Sequence, residues 1–325
     1  MLSSLFRSRK TASAPQKALE KKATRQRAEA ALIQRIFALD PKTVEVEFIR
    51  KGLSSLSLAK FSGPEGPFMV RKTIEKDRHH EADFMTGLSR PHPFRTLSSF
   101  GWSMPDVYEV VESATAFDIY MEFVRGVGAA PRVDRKVLAK PLATAIHELQ
   151  FTLAAVCTQH SLELQERGLP GKRFHAVVSH QLPGLASQLS EIVKIQRALP
   201  KIACHNDIHW PNFGAYQREK SFAIKFIDFG MLGLNVAGAE LHHFARISSR
   251  SRKETDFFKE LSHHYAKLAK LDPALVEMNA FFYAGLRLAA HERRERSEAG
   301  QISKDVAGIL AEAVTRYELV RSKLI

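Results

Sequence analysis

The feature that most restricts this chain is one polar stretch set between apolar runs. It reads Ile202-Ala203-Cys204-His205-Asn206-Asp207-Ile208-His209-Trp210-Pro211-Asn212-Phe213, followed by Ala223-Ile224-Lys225-Phe226-Ile227-Asp228-Phe229-Gly230. The pattern is H-x-D-x-x-x-x-N, and then, 16 residues beyond Asn212, an aspartate that leaves an apolar strand. Phosphoryl transfer asks little covalent help of a protein. It needs one carboxylate to orient a nucleophilic hydroxyl, and hard oxygen ligands to hold magnesium across the phosphates. Asp207, Asn212 and Asp228 are such a set, and the short loop between the first two lets Asp207 point at substrate and Asn212 at metal.

The order of elements around this stretch is consistent with that chemistry. Val44, Val46 and Phe48 alternate with Glu45, Glu47 and Ile49, which predicts a half-buried first strand. A second strand is expected over 56–61, and the turn Ser62-Gly63-Pro64-Glu65-Gly66-Pro67 leads into a third over 68–74. A helix over 76–88 and two strands over 107–111 and 118–124 complete a small antiparallel five-stranded lobe over 41–125, and Gly126 and Gly128 then break the pattern as a linker would. Beyond Lys140 the period is helical: Leu142, Ile146, Leu149, Leu153 and Val156 form one buried stripe, and helices are expected over 180–198, 254–271, 274–294 and 304–322. Between them lies a strand-rich island over 201–229. The fold class is therefore α+β and bilobal, with a larger, mainly helical lobe over 126–325 that carries the catalytic loop and the acceptor site.

In a kinase-like enzyme a lysine on the third strand binds the nucleotide phosphates and is held by a glutamate on the next helix. Lys72 and Glu81 suit that pairing. Side chains alternate along a strand, so Val70 and Lys72 share one face and Arg71 the other, although a shift of one residue would exchange them. The run Tyr120-Met121-Glu122-Phe123-Val124-Arg125-Gly126 supplies a connector whose backbone groups near Glu122 and Val124 are candidates for binding adenine.

On these residues, 204–213 together with 227–230, the chain resembles the aminoglycoside phosphotransferase and choline kinase family, which shares the protein-kinase fold. The resemblance spans roughly residues 43–290. Trp210-Pro211 before the Asn is closer to this family than to protein kinases, which usually carry Arg where Asn206 stands and Lys two residues beyond the Asp. The resemblance implies that Asp207 is the catalytic base, that Asn212 and Asp228 bind magnesium, and that His205 braces the loop. Two departures stand out. The nucleotide-covering loop lacks G-x-G-x-x-G and offers only Gly52 with Ser54, Ser55 and Ser57, so phosphate contacts fall to serine hydroxyls and backbone N–H groups. Glu240 stands where the family usually has Asp, and can cap the catalytic loop only with a longer reach.

Charge and composition narrow the partners. Over 325 residues, 48 Lys+Arg against 35 Asp+Glu leave a formal net charge of +13, and eight of the basic residues fall within residues 1–30. Residues 1–40 read as a basic arm running into a helix over 17–39; with Met1, Leu2, Leu5 and Phe6 in front, the first thirty also suit contact with an anionic membrane or a targeting segment. The most apolar stretch, 278–290, is broken by Asn279 and Arg287, so no spanning helix is expected. Cys157 and Cys204 cannot form a disulfide framework, which suits a reducing, cytoplasmic location, with membrane contact at most peripheral. The mixed-sign cluster over 291–296 is not a nucleic-acid face. The paired histidines His79-His80, His242-His243 and His263-His264 do not face each other on a helix and read as surface or core residues, whereas His209, inside the loop, is a candidate contact for substrate or phosphate.

The expectation is an ATP- and Mg2+-dependent phosphotransferase acting on the hydroxyl of a small molecule: an amino alcohol, a sugar, or a sugar on a lipid carrier. Basic residues such as Arg246, Arg250, Arg252 and Lys253 tilt the acceptor toward an anionic or membrane-associated one. The alternatives are a protein Ser/Thr kinase, which the missing Lys after Asp207 and the lack of an Ala-Pro-Glu segment disfavour, and a non-catalytic nucleotide-binding scaffold.

Overall fold

The computed structural model describes residues 14–49, 55–89, 102–127, 134–159, 161, 163–167, 172–218, 221–295 and 302–323. Ser54 and residues 1–13 lie outside that set. In the small lobe, helix α1 (Ala14–Phe37) precedes strands β1 (Glu45–Ile49), β2 (Ser57–Gly63) and β3 (Gly66–Glu75), helix α2 (His79–Ser89), and strands β4 (Trp102–Ser103), β5 (Val107–Glu112) and β6 (Ala116–Glu122). Five of these strands form one antiparallel sheet in the order β1-β2-β3-β6-β5. The β2–β3 turn closes on Gly66, whose φ of +109° is a conformation L side chains rarely adopt.

Strand β3 decides how the lobe is layered. Met69 and Arg71 face α1, where Leu32 and Ile33 close a core with Ala59, Phe61 and Tyr120. Val70, Lys72 and Ile74 face the other way, toward α2 and the large lobe. The residue parity read from the sequence thus places Lys72, not Arg71, on the inner face. Arg71 is buried beneath α1 and ion-paired to Glu29, and Tyr120 Oη donates to Glu29 Oε1 at 3.4 Å. From Glu29 onward the helix is therefore a third layer of this lobe rather than a solvated arm.

Strand β1 departs from the half-buried expectation. Val46 is 43% exposed and Phe48 70% exposed, because β1 is the sheet edge and pairs with β2 alone, beyond the reach of the α1 core. Phe48 still holds its ring 5.8 Å from the Arg71 guanidinium.

The large lobe consists of α3 (Ala139–Gln159), α4 (Lys172–Gln181), α5 (Pro183–Ala198), β7 (Ile202–Cys204), β8 (Phe213–Arg218), β9 (Ser221–Phe226), β10 (Gly233–Asn235), α6 (His242–Ser248), α7 (Arg252–Ala269), α8 (Pro273–Glu295) and α9 (Lys304–Arg321). The stripe expected on α3 is fully buried at Leu142, Ile146, Leu149, Leu153 and Val156. The helix expected over 180–198 begins instead at Pro183, since a proline suits the first helical position and interrupts an interior; α4 precedes it as a separate helix that the sequence reading missed. Strands β4 and β10 were also missed, each too short to show a period. β4 pairs parallel to β9, and β10 antiparallel to β7.

The connector after β6 lies tightly on the large lobe. A Cβ on Gly126 would meet the carbonyl oxygen of Pro211 at 2.4 Å, and one on Gly214 would meet Val124 Cγ1 at 2.8 Å, so both positions need glycine for close approach. Among the described residues, no helix is long and apolar enough to cross a membrane.

Candidate active site

The loop after β7 is held in place from below. Asn206 adopts φ +61°, and its side chain donates to the carbonyls of Cys204 (3.1 Å) and Gly233 (3.3 Å) while accepting from Asn235 Nδ2 at 2.8 Å. This network offsets the cost of a left-handed backbone in a residue type that tolerates it. Trp210 anchors the far end among Phe213, Phe244 and Phe257, with the Arg135 guanidinium 4.5 Å above its ring. Glu240, fully buried, accepts the backbone N–H of both His205 and Asn206 with Oε1 and the amide of Gln150 with Oε2 at 2.8 Å. The longer carboxylate therefore does reach the loop. Burial pushes its carboxyl up to about 7, against the pull of the Gln150, Asn206 and His205 hydrogen bonds.

His205 is buried beneath the loop. Its Nε2 donates to the carbonyl of Ile227 at 2.9 Å, and its ring meets Phe229 at 4.6 Å. Phe229 in turn lies 5.0 Å from Phe84 on α2, so the residue after Asp228 plugs into the small lobe. Asp228 is left-handed at φ +63°, which turns its carboxylate out of the strand path. Its Oδ1 accepts from Lys72 Nζ at 2.6 Å, and Lys72 also meets Glu81 Oε1 at 2.6 Å. Burial lowers the Lys72 ammonium, but Glu81 and Asp228 outweigh it and hold the group above its ordinary range. Burial likewise raises the Asp228 carboxyl, yet Lys72 leaves it below the ordinary range.

Asp207 and Asn212 face each other across the loop: Asn212 Nδ2 donates to the Asp207 carbonyl and to its Oδ2, both at 3.0 Å. Asn212 and Asp228 are neighbours through the β8–β9 hairpin, because Ile227 N–H donates to the Asn212 carbonyl at 3.0 Å. Among the described residues, Asn212 Oδ1 and Asp228 Oδ2 have no hydrogen-bond partner, and a carboxylate with an amide oxygen is a donor set that fits magnesium. The other oxygen of Asp207, Oδ1, accepts from His243 Nε2 at 2.9 Å. Burial works to raise the Asp207 carboxyl, but that hydrogen bond and the charges of His243, His209 and His205 hold it well below the usual carboxylate range. His209 stacks on His243 with ring centroids 4.6 Å apart, and burial and His243 depress it.

The structure thus brings together Lys72, Glu81, His205, Asp207, Asn212 and Asp228. Glu122 puts its side chain onto Lys225 Nζ at 2.6 Å and the Asp106 N–H at 3.1 Å, and its own N–H donates to the Asp106 carbonyl at 2.8 Å, so neither its side chain nor its N–H is left for a base. Among the described residues the N–H and carbonyl of Val124 have no hydrogen-bond partner. Ser55 sits half-buried just ahead of β2, where Leu56 N–H bonds the Thr73 carbonyl. The sequence reading missed His243 and Gln150 and assigned the His242-His243 pair to surface or core. That holds for buried His242 and is corrected for His243, which a helix one turn past Glu240 swings onto Asp207.

No family model and no curated protein matches the sequence. Solved structures match it in shape. A GDP complex of an aminoglycoside 2'-phosphotransferase variant aligns at TM-score 0.55 and 12% identity, covering 92% of this chain and 98% of that one. The macrolide 2'-phosphotransferase of Brachybacterium faecium aligns at 0.52 and 14%, covering 88% and 97%. A further aminoglycoside phosphotransferase aligns at 0.51 and 14%, covering 90% and 97%. The chain has the bilobal, protein-kinase-like α+β fold of aminoglycoside and macrolide phosphotransferases.

Proposed function

We propose that this protein is a phosphotransferase that moves the γ-phosphoryl group of ATP, with Mg2+, to a hydroxyl of a small molecule. One observation carries the reading: Lys72 from the small lobe and Asp228 from the large lobe meet at 2.6 Å, beside a loop that pairs Asp207 with Asn212. Lys72 positions phosphate, braced by Glu81. Asn212 Oδ1 and Asp228 would hold magnesium, which when bound neutralises charge on the phosphates. Asp207 orients the acceptor hydroxyl and takes its proton on the carboxylate. Its depressed carboxyl makes it a base that is always ionised, better suited to orientation than to strong proton abstraction. The backbone of Val124 and Glu122, with Ser55 and Ser54, is proposed to receive the nucleotide. The neighbouring folds hold GDP or AMP-PNP, so GTP belongs in the assay beside ATP.

Two arginines near Tyr283, Arg167 and Arg287, are proposed to face the acceptor. Tyr283 packs on His242 at 4.8 Å, and Arg287 lies one turn further along α8. Arg167 lies against Gly233, below the loop, with its Nε buried and without a partner. Among the described residues neither arginine pairs with a carboxylate. This favours a hydroxyl compound that carries an anionic group, free or lipid-linked, over a polycationic antibiotic. The test is phosphorylation of a pooled metabolite and lipid-sugar library by the parent, Asp207→Ala and Asp228→Ala, read by mass spectrometry. A product about 80 Da heavier, formed by the parent alone, is expected. Equal product from all three, or none from the parent with nucleotide bound, would overturn the reading in favour of a scaffold.

A further inference from the structure

Two imidazoles and a carboxylate converge where the phosphotransfer reading uses only the carboxylate. Asp207 Oδ1 lies 2.9 Å from His243 Nε2, and the His209 ring stacks on His243 with an interplanar angle of 22°. One ligand atom from each of the three residues lies within 4.8 Å of the others. Among the described residues this is the one such group of His, Cys, Asp and Glu side chains. All three are half-buried, shielded yet reachable from solvent. His209 Nδ1 is buried without a hydrogen-bond partner.

Magnesium favours oxygen ligands, whereas imidazole pairs select later divalent ions. Tetrahedral zinc with bonds of about 2.0–2.1 Å sets its ligands about 3.3 Å apart, so the Asp207–His243 edge is already near length and only His209 has to close by about 1.5 Å or less. We propose that Asp207, His209 and His243 form a metal site for zinc or a similar late divalent transition ion, distinct from Asn212 and Asp228, that inactivates the catalytic carboxylate when filled. Filling the site takes the proton off His243 Nε2, by a shift to Nδ1 in the neutral ring or by release to solvent from the imidazolium, and turns that lone pair to the ion. Asp207 then spends an oxygen lone pair on the ion and can neither orient a hydroxyl nor take its proton. The inactivation clause rests on the phosphotransfer reading; the site itself does not.

The test uses the full chain, stripped of metal and titrated with Co2+ in millimolar Mg2+. Visible d–d bands should appear, saturate at one equivalent and be displaced by Zn2+. His209→Ala and His243→Gln should each weaken cobalt binding at least about tenfold while keeping the parent's far-UV spectrum; the Gln variant retains a donor toward Asp207. Absence of bands, or bands that persist in the His209→Ala/His243→Gln double variant, would overturn the site. In parallel, Zn2+ should inhibit phosphoryl transfer and excess Mg2+ should not restore it. A cobalt spectrum in a protein with no transfer activity would sustain the site and overturn the phosphotransfer reading, and transfer without a spectrum would do the reverse.

Discussion

Gln150 Nε2 donates to Glu240 Oε2 at 2.8 Å, and Tyr265 Oη donates to Gln150 Oε1 at 2.8 Å, so two residues from two helices hold up the carboxylate under the loop that carries Asp207. Glu240 has no exposure, and burial lifts its carboxyl from 4.5 to about 7. A raised carboxyl binds its proton more tightly in the folded state. The corresponding stability is fully present below pH 4.5 and is lost as pH rises through about 7. Glu240→Gln cannot ionise and escapes that loss. Urea unfolding at pH 5 and pH 8 should show the variant gaining on the parent by up to roughly 3 kcal/mol between the two. A stability difference that does not change with pH would show that Glu240 is ionised throughout.

Lys72 leaves a second signature in stability. Its partner Glu81 is fully buried, so Lys72→Met removes the cation that compensates its charge in the interior and should cost about 3–5 kcal/mol. Replacing both members, Lys72→Met with Glu81→Leu, removes the uncompensated buried charge and should recover most of that loss, while phosphoryl transfer stays abolished in both. Denaturant midpoints compared with single-turnover assays check this. A double variant less stable than Lys72→Met would mean the pair is held for reasons other than charge compensation.

The parts of the site that are local in the chain were legible in the sequence, and those made by packing were not. Asp207, Asn212 and Asp228 are bound to one loop and one hairpin, and spacing alone exposes them. Lys72 needed strand parity, which the alternation through Val70 supplied. His243 reaches Asp207 from 36 residues away and Gln150 reaches Glu240 from 90, and nothing in a linear pattern reports a contact made by packing. The rule that adjacent helical residues face apart is sound for His242 and His243 as a pair, and is silent about each one's partner elsewhere. The edge position of β1 was hidden for the same reason: alternation shows which residues share a face, not whether anything covers it. The helix expected over 17–39 is present as α1, but its charge hid its docking on the sheet, and Glu29, Leu32 and Ile33 are what attach it.

Helix α1 yields a prediction about folding. Its core with Ala59, Phe61 and Met69, and the Glu29–Arg71 pair, cover the outer face of the sheet. Removing residues 1–37 uncovers that face and leaves the Arg71 guanidinium buried without its carboxylate, so the shortened chain should aggregate or melt several degrees lower. Glu29→Leu should cost about 3 kcal/mol by stranding Arg71. If the 1–37 deletion melts with the parent, α1 contributes nothing to the lobe.

Arg167 and Arg287, proposed to face the acceptor, predict a split in kinetics. Arg167 and Arg287 have no carboxylate partner among the described residues, so an anionic acceptor would gain a charge-assisted hydrogen bond from each, about 1.5–3 kcal/mol apiece. For an acceptor whose anion is remote from the reacting hydroxyl, that bond is made equally in the ground and transition states. Arg167→Gln or Arg287→Gln should therefore raise KM for the acceptor about tenfold or more and leave kcat within a few fold, with KM for ATP unmoved. Higher ionic strength should raise the parent's acceptor KM in the same direction and flatten in the double variant. An unchanged KM in both variants, or faster turnover of a polycationic aminoglycoside than of any anionic hydroxyl compound, would overturn the assignment of acceptor charge and leave Asp207, Asn212 and Asp228 in their proposed roles.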